Sequence, residues 1–320
     1  MLAFGRDPFF DGWPDTLQLD YANPELQQAM IGELEKIAAQ CDGVRCDMAM
    51  LILPEVFQRT WGRRAELFWP KATALVRRRH PQFLFLAEVY WDLEWTMQEQ
   101  GFDYAYDKRL YDRLREGHAR PVREHLMAGL DYQGKLARFL ENHDEPRAAA
   151  SFPPDVREAA AVITFLSPGL RFLHQGQLEG HRKRISPHLV RGPEEPVDAR
   201  LEKFYERLLA VMRQPALRSG RWQLLECRQA WDGNWTSDGF IAGSWQSEDG
   251  ERRLVAVNYA GNQGQCYVRI PFADLGGRAV ELVDLLGPAR YQRAGDELAS
   301  RGLYLDLPAW AYHVFELKHL

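Results

Sequence analysis

The chain has 320 residues, enough for one large or two ordinary domains with buried cores. Its 46% hydrophobic and 27% charged residues are typical of a soluble globular protein, and a net charge of -5 without a basic stripe argues against a nucleic-acid partner. No apolar run reaches the roughly 20 residues that cross a bilayer, and the first ten residues lack the pattern of a secretion signal. The four cysteines have neither metal-ligand nor redox spacing, which predicts a reduced, cytoplasmic protein that does not attach to membranes.

The first half of the chain is predicted to alternate helices and strands. After an irregular segment over residues 1–20, Asn23 and Pro24 begin a helix that continues to residue 39. A strand then ends at Asp47, and a helix over 64–79 precedes a strand that ends at Glu88. The next stretch is predicted to hold four helices and one short strand, in the order 93–100, strand 102–104, 111–116, 122–130 and 132–137.

A third apolar run, over residues 139–144, ends at Asp144 and is predicted to be another strand. A helix beginning at Pro154, a strand over 170–173 and a helix over 199–212 follow. Beyond Pro215 the pattern changes to short β-rich runs separated by turn residues, at 222–227, 239–245, 254–259, 266–270, 279–285 and 311–317. We therefore expect an α/β domain over residues 1–215 and an antiparallel β-sandwich over 216–320.

Three carboxylates, Asp47, Glu88 and Asp144, stand where predicted strands end. The carboxyl ends of parallel strands meet at one rim of a sheet, which is where active sites of α/β proteins collect. Like charges repel each other in a partly desolvated cleft, so three carboxylates gathered only for structure would be costly. The aromatic pair Tyr90 and Trp91 follows Glu88, and aromatic rings stack on the apolar faces of sugars. This combination favours a carbohydrate-cleaving site.

Five segments in order resemble motifs of the alpha-amylase family of glycoside hydrolases, which pairs a (β/α)8 barrel with a C-terminal β-sandwich. Segment 18–24 is similar to the stretch before the fourth barrel strand, and 43–47 resembles the end of that strand. Segments 87–88, 142–144 and 172–180 resemble the fifth, seventh and eighth strand motifs. The resemblance implies a partial TIM-type barrel that contains the equivalents of strands 4–8, because few residues precede the fourth.

The same resemblance implies roles for individual residues. Asp47 would be the nucleophile, Glu88 the acid/base and Asp144 a third carboxylate that grips sugar hydroxyls. Arg45, His143, Tyr90 and Trp91 would contact the substrate. The implied activity is a retaining hydrolase or transglycosylase of α-glucosidic bonds, which uses two carboxyl groups in a double displacement. Its substrate would be an α-glucan or oligosaccharide.

Two differences from the family pattern narrow this expectation. Members that act on starch often carry Lys-His three and four residues after the nucleophile, where this chain has Met50 and Leu51. The third-strand motif, with an Asn often used for calcium, has no counterpart, and no EF-hand-like or Cys/His cluster replaces it. We therefore expect neither a metal nor another cofactor.

Several alternatives stay open at the level of sequence. Asp47 taken alone fits a helix N-cap or a structural ion pair with Arg45, and the strand-end acids also suit a divalent-metal site of the enolase type. A homologue without turnover that binds glucan or serves as an interaction protein is the non-enzymatic alternative. Five barrel strands alone leave open edges, so we expect a homodimer that covers the opening, or Met1 to be an internal methionine of a longer hydrolase.

Overall fold

The computed structural model describes residues 2–186 and 188–319, and the chain divides into two compact units. The first unit comprises residues 1–108 and 134–137, and the second comprises 109–133 and 138–320. Within the described residues no helix combines the length and the apolar character that a membrane crossing requires.

The first unit is an α/β structure. Its strands are β1 (Phe4–Gly5), β2 (Trp13–Leu17), β3 (Gly43–Cys46), β4 (Leu84–Ala87), β5 (Tyr104–Tyr106) and β6 (Leu136–Arg138), the last residue of which belongs to the second unit. Its helices are α1 (Pro24–Ala38), α2 (Pro54–Trp61), α3 (Trp69–Arg79) and α4 (Glu94–Glu99), with a 3-10 turn at Ala49–Ile52.

Local sequence explains where α1 begins and which face it buries. The Asn23 side chain accepts a hydrogen bond from the Glu25 N–H at 2.9 Å, and Pro24 occupies the first turn, where it loses no helical hydrogen bond. Ile31 and Leu34 on the inner face of α1 are buried in one core cluster, which also contains residues of α3 and β4.

Strands β3 to β6 pair in parallel, and their register places the strand ends together. Cys46 of β3 lies opposite Ala87 of β4, so the next residues, Asp47 and Glu88, leave neighbouring strands at the same edge. The β4–β5 and β5–β6 pairs are also parallel. This arrangement agrees with the sequence prediction for the first two carboxylates.

The second unit begins with helical sequence. Its helices are α5 (Lys108–Glu116), α6 (Ala119–Leu126), α7 (Leu130–Gln133), α8 (Ala148–Ser151), α9 (Pro154–Leu166), α10 (Ala199–Met212), α11 (Pro215–Ser219) and α12 (Gly295–Ser300); the first residue of α5 belongs to the first unit. Strand β7 (Leu170–Arg171) also belongs to this unit, and the Phe172 N–H just after it donates to the Arg138 carbonyl at 2.8 Å.

The remaining strands form two antiparallel sheets. They are β8 (Arg221–Leu225), β9 (Cys227–Gln229), β10 (Phe240–Gln246), β11 (Arg252–Asn258), β12 (Gly264–Val268), β13 (Ala279–Asp284), β14 (Arg290–Ala294), β15 (Leu303–Leu307) and β16 (Tyr312–His319), with 3-10 turns at Trp235–Gly239 and Ala273–Leu275. One sheet has the order β14-β13-β16-β11-β10-β8 and the other β15-β12-β9. Phe240, Leu254 and Phe315 from the first sheet share one core with Val268 and Leu305 from the second, as expected for a sandwich.

Polar contacts join the helices of the second unit to its sandwich. The Trp245 indole N–H donates to the carbonyl of Leu166 in α9 at 2.7 Å. Arg123 of α6 forms an ion pair with Asp238 at 2.5 Å. The Trp245 indole N–H is buried and would cost stability without a partner, so this contact fixes how α9 meets the sheet.

The structure corrects several predicted elements. Residues 139–144 are not a strand: the strand is Leu136–Arg138, and the predicted helix over 132–137 ends at Gln133. The segment 1–20, predicted to be irregular, contains the hairpin of β1 and β2. Strands β14 and β15 were not predicted, although the leucines at every second position of β15 form the alternation typical of a half-buried strand.

Candidate active site

In the first unit, one arginine contacts two of the predicted carboxylates. Arg45 Nη1 lies 2.5 Å from Asp47 Oδ2, and Arg45 Nη2 lies 3.0 Å from Glu88 Oε2. Arg45 is the third residue of β3, and its guanidinium also lies over the Tyr106 ring, 5.7 Å from the centroid. The Asp47 side chain is 77% exposed, whereas that of Glu88 is only 4% exposed. The two carboxylates therefore share a counter-charge but differ in access to water.

The surroundings of Glu88 favour its protonated form. Burial raises the pKa of this carboxyl, and the charge of Asp47 adds to the rise. Arg45, the Met48 N–H at 2.6 Å and the Tyr90 hydroxyl at 2.9 Å act in the opposite direction, because each stabilises the carboxylate. Burial prevails, so Glu88 holds its proton to a higher pH than an ordinary glutamate.

The backbone after β3 turns sharply to bring a donor to Glu88. Met48 has a left-handed conformation with φ of 41°, which is uncommon for a side chain of this size. The Met48 N–H donates to Glu88 Oε2, and the Ala49 N–H donates to the Glu88 carbonyl at 3.0 Å. Nothing in the sequence indicated this turn, because methionine does not favour a left-handed backbone. The hydrogen bond to Glu88, a distant residue, selects the conformation.

The aromatic pair after β4 takes two different positions. The Tyr90 hydroxyl donates a hydrogen bond to Glu88 Oε1. Trp91 also has a left-handed backbone, with φ of 63°, and its ring packs edge-on against Phe9 with centroids 5.1 Å apart. Phe9 in turn lies under the Arg59 guanidinium. Trp91, which is 37% exposed, thus anchors the N-terminal hairpin segment.

In the second unit, His143 and Asp144 lie on a loop rather than on a strand end. His143 Nε2 lies 2.9 Å from Asp144 Oδ2, and both side chains are about half-exposed. The fully buried Asn142 shapes this loop, because its Oδ1 accepts from the N–H groups of Asp144 and Glu145, each at 2.9 Å. Arg184 donates to the Asp144 carbonyl at 2.9 Å.

A buried cluster beneath this loop was not predicted from the sequence. Glu141 is fully buried and lies 2.7 Å from Arg147 and 2.9 Å from the His174 Nδ1, and it accepts from the Ala148 N–H at 2.7 Å. Gly176 lines the same site with φ of 86°, and a Cβ there would meet Arg147 at 2.1 Å. The sequence offered one clue to this cluster: Glu141, Arg147 and His174 lie in or beside the segments that resemble the seventh and eighth strand motifs.

Met50, one of the two positions that differ from the starch-acting pattern, is fully buried in the core of the first unit. Leu51 follows it in the 3-10 turn. Among the described residues, no group of three or more His, Cys, Asp or Glu side chains is placed to hold a metal ion.

Neither a protein-family model nor a curated protein matches the sequence. Solved structures of alpha-amylase family enzymes do match its fold. The alpha-amylase from Geobacillus thermoleovorans, complexed with acarbose, is 20% identical with a TM-score of 0.71, and the match covers 96% of this chain and 67% of that one. A maltogenic alpha-amylase from Thermotoga neapolitana is 17% identical with a TM-score of 0.69, and the match covers 98% of this chain and 71% of that one.

The debranching enzyme from Nostoc punctiforme, in an acarbose-soaked crystal, is 18% identical with a TM-score of 0.65; the match covers 94% of this chain and 62% of that one. This chain therefore has the fold of alpha-amylase family enzymes over almost its whole length, while it spans only 41–71% of the length of such structures. At these identities the likeness is one of fold.

Proposed function

We propose that this chain is a retaining glycosidase or transglycosylase that acts on α-glucosidic bonds. The observation that carries the proposal is the contact of Arg45 with both an exposed carboxylate, Asp47, and a buried one, Glu88, whose pKa is raised. Retaining cleavage needs one ionised carboxyl group to attack the sugar and a second, protonated one to release the leaving oxygen. Alpha-amylase family enzymes with the same fold, two of them with acarbose, support an α-glucan substrate.

In this proposal Asp47 attacks the anomeric carbon while Glu88 donates its proton to the glycosidic oxygen. The leaving sugar departs with that proton. Water or a sugar hydroxyl then attacks the anomeric carbon and gives its own proton to the Glu88 carboxylate, while the bond to Asp47 breaks and releases the Asp47 carboxylate. Arg45 holds the Asp47 carboxylate in place through their ion pair. Tyr90 is hydrogen-bonded to Glu88 and orients it.

We assign the remaining predicted residues to substrate contact. Asp144 and His143 grip sugar hydroxyls, and Trp91 offers a ring for stacking. We also retain residues 1–215 as the catalytic domain, with the equivalents of strands 4–8, and 216–320 as the sandwich domain.

Two substitutions test the assignment. Asp47→Ala and Glu88→Gln are each expected to lower the rate of maltoheptaose cleavage by at least about a thousandfold, because each removes one half of the double displacement. Asp42→Asn, an exposed carboxyl just before β3, is the matched control and is expected to keep the wild-type rate. NMR of the first product formed is expected to show the α-anomer.

The outcomes separate the alternatives. Full activity in Asp47→Ala removes the nucleophile assignment, and a β-anomeric first product excludes the retaining mechanism. A wild-type chain that binds maltoheptaose but releases no product supports the glucan-binding homologue instead.

A further inference from the structure

The sandwich sheets of the second unit carry a shallow groove that the proposed active site does not use. Its volume is about 580 Å³, within the usual range for small-ligand sites. We name it the Trp231–Trp235 groove. The side chains and backbone that line it belong to Trp231, Gly233, Asn234, Trp235, Thr236, Gly239, Ala260, Asn262 and Gln265.

Two tryptophans at this groove are unusually exposed. Trp235 is 77% exposed and Trp231 is 56% exposed. Indole rings are large apolar surfaces that normally contribute to a core or an interface, so two beside one groove indicate a binding surface.

The groove is built on a rigid local framework. The buried Asn234 accepts from the Thr236 N–H at 2.9 Å and from the Thr236 hydroxyl at 2.6 Å, while its amide donates to Gln265 Oε1 at 3.3 Å. The Asn234 N–H donates to the Trp231 carbonyl at 3.1 Å. The backbone segments that carry both indoles are thereby connected to strand β12, and a ligand need not order them on binding.

The lining chemistry selects a neutral, hydroxyl-rich ligand. None of the described residues that line the groove carries a charge, and the polar groups are amides and a hydroxyl. Of the nearby acids, Asp238 pairs with Arg120 and Arg123, Asp306 accepts from Gln265 at 2.9 Å, and Asp232 is exposed to solvent outside the lining. Pyranose rings present apolar faces to indoles and hydroxyls to amides, whereas an anion finds no positively charged residue in the lining.

We propose that the Trp231–Trp235 groove is a second saccharide-binding site, which holds a neutral oligosaccharide chain by stacking on the two indoles. The identification of that chain as an α-glucan rests on the proposed function. Glucan bound at this groove would tether the enzyme to long polymers and raise the local concentration of chain ends at the active site.

The test measures binding without turnover. In an Asp47→Asn background, retardation in a native gel that contains amylopectin and titration calorimetry with maltoheptaose report the dissociation constant. Trp231→Ala and Trp235→Ala are each expected to weaken binding about tenfold, and Trp235→Phe to keep most of it, because a phenyl ring still stacks. Tyr304→Ala, which removes an exposed aromatic ring on β15 outside the groove, is the matched control and is expected to bind as the parent does.

Each result decides the proposal. Binding that is unchanged in both tryptophan variants, or equally weakened by Tyr304→Ala, overturns it. So does light scattering in which the tryptophan variants turn a dimer into a monomer while glucan binding stays intact, since the groove would then serve a second copy of the chain. A wild type that cleaves nothing yet binds through the tryptophans refutes the proposed function and leaves this site standing.

Discussion

Two buried glutamates in the first unit show how surroundings decide the chemistry of the same side chain. Burial raises the pKa of Glu88 and of Glu94. Glu88 has Arg45 as a counter-charge, which stabilises its ionised form and so opposes the effect of burial on its pKa. Glu94 instead faces Asp107, whose charge adds to the effect of burial, and its pKa rises to about 7. Glu94 is therefore a group that costs stability whenever it ionises.

We predict that Glu94→Gln stabilises the protein at alkaline pH. The folded-state pKa of about 7 lies above the ordinary value of 4.5, so the folded state binds the additional proton between these values. The protonated Glu94 therefore contributes fully to the free energy of unfolding below about pH 4.5, and this contribution is lost as the pH rises through about 7. The glutamine, which resembles the protonated acid, is expected to be more stable than wild type by about 2–3 kcal/mol at pH 8 and by little at pH 5.

Urea denaturation between pH 5 and pH 8 measures this difference. Glu99→Gln, on the exposed face of the same helix, is the control and is expected to change the free energy of unfolding by less than about 0.5 kcal/mol. A difference for Glu94→Gln that stays constant with pH would contradict the prediction.

Among the elements, the loop after β6 depends on the buried Glu141 cluster beneath it. Arg147 is only 4% exposed, so its charge relies on Glu141 for compensation. We predict that Glu141→Ala lowers the free energy of unfolding by about 3–5 kcal/mol, because it leaves this guanidinium buried without its carboxylate. Thermal or urea denaturation provides the measurement.

An exposed ion pair in the same unit is the matched comparison. Arg200 and Asp155 lie 3.7 Å apart and are each more than 70% exposed. Solvent screening makes such a pair weak, and Asp155→Ala is expected to cost less than about 1 kcal/mol. Equal losses in the two variants would show that the Glu141 cluster does not stabilise the loop.

For the whole molecule, the sheet order predicts association. Strand β3 stands at one end of the parallel sheet, and an edge strand presents unpaired backbone groups that favour pairing with another chain. We predict a symmetric dimer at micromolar concentration, with a mass by light scattering twice the 37.0 kDa of one chain. A monomer at all concentrations tested would contradict this prediction.

The sequence by itself was sufficient to locate those helices and strands whose bounds depend on neighbouring residues in the chain. Asn23 and Pro24 mark the start of α1, and α10 has the bounds that its apolar periodicity predicts. Apolar runs that end in a carboxylate located β3 and β4 correctly. The motif order anticipated the fold that the alpha-amylase family structures confirm.

Only the tertiary structure decided features that depend on distant partners. The segment 139–144 begins with the apolar residues Phe139 and Leu140, but Asn142 accepts hydrogen bonds from the backbone of a loop there, and Glu141 pairs with Arg147. Likewise the left-handed Met48 exists because its N–H reaches Glu88, a residue forty positions away. The secondary-structure propensities of neighbouring residues cannot predict such contacts. The energy of a buried charge or hydrogen bond depends on the groups that the fold brings beside it.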